Sequence, residues 1–111
     1  ISDEYLSTVK TVTIAPPRIP MRISGVYPNP SVGRFQISVD HFPGGSAVIE
    51  VFNLLGQNII TLVKNQDQIG QFKVQWDGYD KYGQQMGSGI YFIQLTTKTG
   101  IVRNKKMMLL K

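Results

Sequence analysis

Asp77 and Asp80 stand in the string Trp76-Asp77-Gly78-Tyr79-Asp80-Lys81 and are the residues of this chain that most invite a chemical role. Two carboxylates so close together could hold a calcium ion. Calcium, however, takes about six to eight oxygen ligands. The interleaved Tyr79 and Lys81 add none in the right form, and the lysine repels a cation. Short acidic side chains in a glycine-rich stretch more readily accept backbone N–H groups in Asx-type turns, and that is the role expected of both. His41 is the only histidine and lies beside Phe42 and Pro43 in an expected turn. Gly87-Ser88-Gly89 lacks the strand-to-helix setting that exposes a nucleophile. The remaining carboxylates, Asp3, Glu4, Asp40, Glu50 and Asp67, show no spacing that suggests paired acid and base. The chain has no cysteine, which removes thiol catalysis, disulfides and zinc–thiolate sites. These residues predict a non-enzyme with no metal and no cofactor.

The elements that carry these residues read as strands. Phe35, Ile37 and Val39 alternate with Gln36 and Ser38 over Arg34–Asp40, the two-residue repeat of a half-buried strand. Ala47, Ile49 and Val51 point inward over 47–53 if Glu50 faces water, and Phe72, Val74 and Trp76 share one face over 71–76. Further strands are expected over 58–63, 90–97 and 101–110, with Tyr91, Ile93 and Leu95 in the core. Between them lie Tyr27-Pro28-Asn29-Pro30 closed by Gly33, a Pro43-Gly44-Gly45 turn, a corner at Leu54-Leu55-Gly56-Gln57, a polar connection over 64–70, a long loop over 77–89 and a hairpin turn at Lys98-Thr99-Gly100. No stretch has a convincing helical period. About seven short strands separated by turns predict an all-β, immunoglobulin-like antiparallel β-sandwich; a barrel is the competing closure.

One domain suits 111 residues. Residues Val9–Ile14 have the composition of a strand, and Ala15–Pro20 breaks regular pairing because proline fixes φ and lacks a donor. A boundary is therefore expected near Met21, with 1–20 a strand and proline-rich linker from a preceding domain and 21–111 the sandwich. The first residue is Ile1 and not methionine, which suggests a piece of a longer protein. No apolar run is long enough to span a membrane as a helix, and no signal-peptide pattern is present.

The formal net charge of +5 raises the question of an anionic partner. Most basic residues are dispersed, but Arg103, Lys105, Lys106 and Lys111 gather at the end of the chain. Nucleic acid would call for exposed aromatics interleaved with cations on one sheet face, and no such string occurs. The tail Lys105-Lys106-Met107-Met108-Leu109-Leu110-Lys111 alternates so that two residues of either the odd or the even set meet the core. An apolar edge strand bearing lysines can pair with another sheet while its charges limit uncontrolled pairing.

Four strings together resemble a known family. Tyr27-Pro28-Asn29-Pro30 with Gly33 and Phe35, Val51-Phe52-Asn53-Leu54-Leu55-Gly56-Gln57, Trp76-Asp77-Gly78-Tyr79-Asp80 with Gly83, and Gly87-Ser88-Gly89-Ile90-Tyr91-Phe92 before a lysine-bearing apolar end occur in that order from about Val26 to Lys111. The order is similar to that of type IX (Por) secretion C-terminal sorting domains. The Trp-Asp-Gly and Gly-x-Tyr parts also resemble the immunoglobulin-like domain of flagellar hook-capping proteins.

The resemblance implies a signal and substrate, not an enzyme. It would be the last module of an exported cargo, folded in the periplasm of a Gram-negative bacterium and bound for the cell surface or the medium. It implies recognition by an outer-membrane translocon and, in cleaved cases, by a sortase-like peptidase acting between Ile14 and Ser24. Pro28, Asn29, Pro30, Gly33, Gly56, Trp76, Asp77, Gly78, Asp80, Gly83, Gly89 and Tyr91 are then fold-defining, and Lys105 to Lys111 form the recognised strand. The preceding cargo domain is the partner in the same chain; neither nucleic acid nor membrane insertion is expected. A structural or adhesive module of a surface protein and a hook-cap assembly domain are the alternatives.

Overall fold

The computed structural model of the chain describes residues 20–111. The strand expected over Val9–Ile14 and the connector before Pro20 lie outside these residues. Seven strands follow one another: β1 (Arg22–Tyr27), β2 (Phe35–Phe42), β3 (Ser46–Asn53), β4 (Asn58–Asp67), β5 (Gly70–Trp76), β6 (Gly89–Thr97) and β7 (Val102–Leu109). They form two antiparallel sheets, one ordered β1-β2-β5 and the other β4-β3-β6-β7. The architecture is the expected immunoglobulin-like sandwich.

The core lies between the sheets and is built by period-two alternation. Phe35, Ile37 and Val39 of β2, Ala47, Ile49 and Val51 of β3, and Ile93 and Leu95 of β6 are wholly buried. Trp76, at the end of β5, is also fully enclosed. Its ring stacks on Phe35 at 5.6 Å and meets Tyr91 edge-on at 5.2 Å. The single tryptophan is therefore packed by two aromatic rings in a fold that has no disulfide to lean on.

Three segments differ from the sequence reading, each through a break in alternation. No alternation marks β1 in the sequence, because its buried residues, Ile23 and Val26, are three apart. A register shift between Ile23 and Gly25 absorbs the extra residue against β2. β2 runs on through His41 to Phe42, where turn signals suggested an end. His41 has a φ of 57°, the register against β5 shifts there, and Phe42 returns to the core against Phe72, 5.5 Å away. The connection expected over 64–70 is strand as far as Asp67. Its residues 64–67 are exposed and polar, so the edge strand has no apolar face to read. A bulge between the Ala47–Gln66 and Ile49–Val63 pairs, with Asn65 at a φ of 54°, carries it forward.

Candidate functional site

β7 is the edge strand of the four-stranded sheet, paired to β6 without a register shift from Val102–Thr96 to Leu109–Gly89. Its alternation divides the expected recognition segment. Met107 and Leu109 are fully buried in the core. Lys105, Lys106 and Lys111 are exposed, Met108 is half-buried, and Leu110 is 46% exposed. The odd register holds for Met107 and Leu109, while Lys105 and Lys111, of the same parity, lie exposed to either side of them. Met107 and Leu109 thus anchor the strand, leaving Lys105, Lys106, Met108, Leu110 and Lys111 on view.

The outer edge of β7 is partly covered by the Pro-Asn-Pro loop. The Asn29 carboxamide sits beside the strand as a backbone peptide group would. Its Nδ2 donates to Lys106 O at 3.0 Å, and its Oδ1 accepts from Met108 N at 3.0 Å. Ser31 continues the pattern with its main chain, its N–H donating to Met108 O at 3.0 Å and its carbonyl accepting from Leu110 N at 2.8 Å. The Ser31 hydroxyl closes the loop on itself by bonding Arg34 O, Gly33 N and Arg34 N. Beyond the strand, Lys111 N donates to Ser88 Oγ at 2.7 Å. A loop some eighty residues upstream thereby clamps the tail (the Asn29–Lys106 separation is 77 residues).

Asn29 reads in the sequence as a turn residue; its contact with β7 carries no local signal there. Replacing it tests the clamp. Asn29→Ala removes two hydrogen bonds, and amide exchange at Met108 is expected to accelerate by roughly ten- to a hundredfold, about 1–3 kcal/mol. Asn29→Asp keeps the acceptor for Met108 N but sets an oxygen against Lys106 O, so it should not restore protection. Unchanged exchange at Met108 in both variants would show that the clamp is not formed.

The other motif residues assemble at the same end of the sandwich. Trp76 Nε1 donates to Tyr79 O at 2.9 Å and fixes the loop that follows β5. Asp77 Oδ1 accepts from Tyr79 N, and Asp80 Oδ1 accepts from both Tyr82 N and Gln84 N, at 2.8–3.1 Å. These are turn-closing bonds. Lys81 N donates to Ile59 O and ties the loop to β4. Gly83, with a φ of 82°, ends the tight turn after Asp80. Gly78 packs against the Gly33 carbonyl so closely that a Cβ there would lie 2.9 Å from its oxygen. The Pro-Asn-Pro and Trp-Asp-Gly strings are thus two halves of one contact.

Tyr91 completes this end. Its ring lies against Trp76, and its hydroxyl donates to Gly87 O at 2.8 Å. Burial raises its phenol pKa above the ordinary value, so it stays a neutral donor. Gly89 opens β6, where Gly89 pairs with Leu109. Gly56, with a φ of 84°, turns the β3–β4 corner under Asn53, whose Oδ1 accepts from Leu55 N and Gln57 N. A Cβ at Gly56 would meet nothing within 4 Å. Arg103, which the sequence marks only as part of the basic cluster, donates from Nε to Met21 O and from Nη1 to Val102 O, joining the start of β7 to the entry of the sandwich.

Among the described residues the arrangement supplies no reacting constellation. It presents a clamped edge strand with cations, built on one end of the sandwich.

The comparisons agree with that character. The family model described as secretion system C-terminal sorting domain matches residues 25–109. Ulvan lyase NLR42 of Nonlabens ulvanivorans is 32% identical over 84 residues, which are 76% of this chain but 14% of that enzyme. The chain superposes on latent dimeric PorU from Porphyromonas gingivalis with a TM-score of 0.65 and 21% identity, covering 83% of this chain and 10% of that one. It superposes on PorZ, a surface component of the type-IX secretion system of the same bacterium, with a TM-score of 0.56 and 15% identity, covering 78% of this chain and 11% of that one. These two likenesses concern the fold.

A domain of this kind is a sorting signal and is not itself catalytic; it implies passage through the periplasm to the outer membrane, to the cell surface or beyond it. By the match over residues 25–109, the chain belongs to the secretion system C-terminal sorting domains, the export signals of type IX secretion.

Proposed function

We propose that the export machinery reads this domain through the solvent-facing residues of its tail, Lys105, Lys106, Met108, Leu110 and Lys111. Met107 and Leu109 serve that reading indirectly, by fixing the strand in the sheet. The observation that carries it is the placement of Lys105 and Lys106 on an edge strand rather than a sealed one, with Leu110 and Lys111 exposed just past its end. Its partners are an outer-membrane translocon and, where the signal is removed, a sortase-like peptidase.

The domain begins at Met21, whose side chain is already in the core. Peptide bonds from Arg22 onward belong to β1, so processing within the 14–24 stretch would fall ahead of that strand. The cargo precedes the linker. The lyase activity of the ulvan-degrading relative does not come with this match, which spans 14% of that protein.

The test fuses the whole 111-residue chain to a reporter exported to the periplasm of a bacterium with this secretion system. Truncation of Met107–Lys111 is a poor probe because it guts the core. The exposed lysines are the better choice. Lys105→Ala with Lys106→Ala is expected to lower surface arrival about tenfold, the effect of about 1.4 kcal/mol of lost recognition, while the thermal midpoint stays near that of the parent. Full surface arrival of the double variant would overturn the reading.

A further inference from the structure

We infer that the export machinery engages this domain by adding a strand with acidic side chains to the outer edge of β7 over Val102–Lys106. The inference rests on the reading of β7 as the recognised strand and names the chemistry of what recognises it.

The main chain says which positions are open. Lys106 O, Met108 N, Met108 O and Leu110 N all bond to Asn29 and Ser31, so the even residues of β7 turn their peptide groups away from β6. The pairing with β6 has no register shift, so Val102 and Asn104 face the same way. Val102 O is taken by Arg103 Nη1. Val102 N–H, Asn104 N–H, Asn104 C=O and Lys106 N–H have no hydrogen-bond partner among the described residues. They form a short, unbulged template of the kind that accepts an added strand. The Asn29 clamp ends it at Lys106.

The charges say which strand fits. Arg103, Lys105 and Lys106 crowd this stretch, and among the described residues the one ion pair is Arg22–Asp40 on the other sheet. The other described carboxylates are elsewhere. Glu50 accepts from Asn58, Asp77 and Asp80 close turns, and Asp67 lies on β4 at the opposite edge of the sheet. A second copy of β7 would set lysine against lysine, which is unfavourable for strands side by side. Edge lysines are a common guard against aggregation. Here the guard is selective, since it repels basic strands and attracts acidic ones.

The test uses the full chain, labelled with nitrogen-15, and a synthetic peptide in which glutamate alternates with valine. Addition at this edge predicts amide shifts at Val102, Asn104 and Lys106, little change at Met108, and weaker binding as salt rises. A peptide with lysine in place of glutamate should not bind. Asn104→Pro removes an N–H that points away from β6, so it spares the existing sheet while blocking the edge. It is expected to weaken peptide binding at least about tenfold. Asn104→Asp, which keeps every main-chain group and adds a negative charge, is the second variant and should weaken binding in the same direction.

Equal binding of the lysine peptide, shifts confined to other strands, or undiminished binding by folded Asn104→Pro would overturn the inference. So would binding to phosphatidylglycerol vesicles that both variants retain, with no peptide response, because that would be a charged surface without strand pairing. Export separates the two claims. If Asn104→Pro and Asn104→Asp reach the surface normally while the Lys105–Lys106 double variant does not, the edge inference falls and the role of the tail lysines stands.

Discussion

Trp76→Ala is expected to lower the unfolding free energy by about 3–5 kcal/mol, the usual cost of deleting a fully buried large aromatic. Three contacts fail together in this variant. The stack on Phe35 and the edge contact with Tyr91 disappear, and the Tyr79 carbonyl loses the indole N–H at 2.9 Å. Trp76 also joins the sheets, since it sits on β5 of one and meets Tyr91 on β6 of the other. A small domain has only about 5–15 kcal/mol in all. The variant should therefore unfold at a much lower urea concentration, monitored by far-ultraviolet circular dichroism. Trp76→Phe keeps most of the apolar area but not the N–H, and should recover more than half of the loss. A midpoint within error of the parent for Trp76→Ala would refute the assigned packing.

Gly78→Ala should cost about 2–4 kcal/mol, combining left-handed backbone strain with a close steric contact. Gly78 has a φ of 83°, and a Cβ placed on it meets the Gly33 carbonyl oxygen at 2.9 Å. That oxygen belongs to a loop tied down by Ser31 and cannot swing aside as a flexible side chain would. Gly83 is the control. Its φ of 82° is nearly the same, but a Cβ there meets nothing within 4 Å. Gly83→Ala should then cost about 1–2 kcal/mol, the conformational part alone. Urea denaturation of the pair measures the difference. Equal losses would mean that the contact between the two motif loops contributes nothing.

The sequence revealed the fold where alternation survives. Phe35, Ile37 and Val39, then Ala47, Ile49 and Val51, then Tyr91, Ile93 and Leu95 all face inward as their spacing predicts. It concealed β1, the end of β2 and the second half of β4, because bulges move buried residues from a spacing of two to three or because an edge strand needs no apolar face. The tail was half legible. Two registers were open over Lys105–Lys111, and packing chose the one that buries Met107 and Leu109. The motif strings were visible one by one, but not their meeting. That Asn29 mimics a strand for Lys106 and Met108, or that Gly78 leaves room for Gly33, depends on distances that only the closed sandwich establishes.

The reach of Asn29 has a consequence for when the tail becomes ordered. Bringing two points 77 residues apart into hydrogen-bond distance carries a large loop-closure cost. That cost is met only after β2, β3, β5 and β6 have drawn the ends together. The last strand and the first motif therefore lock late, and only in a chain synthesised through Met108. A polypeptide that stops short of Met107 leaves Asn29 facing water and the Met107 and Leu109 sites empty, so the closed edge forms only in chains extended beyond that point.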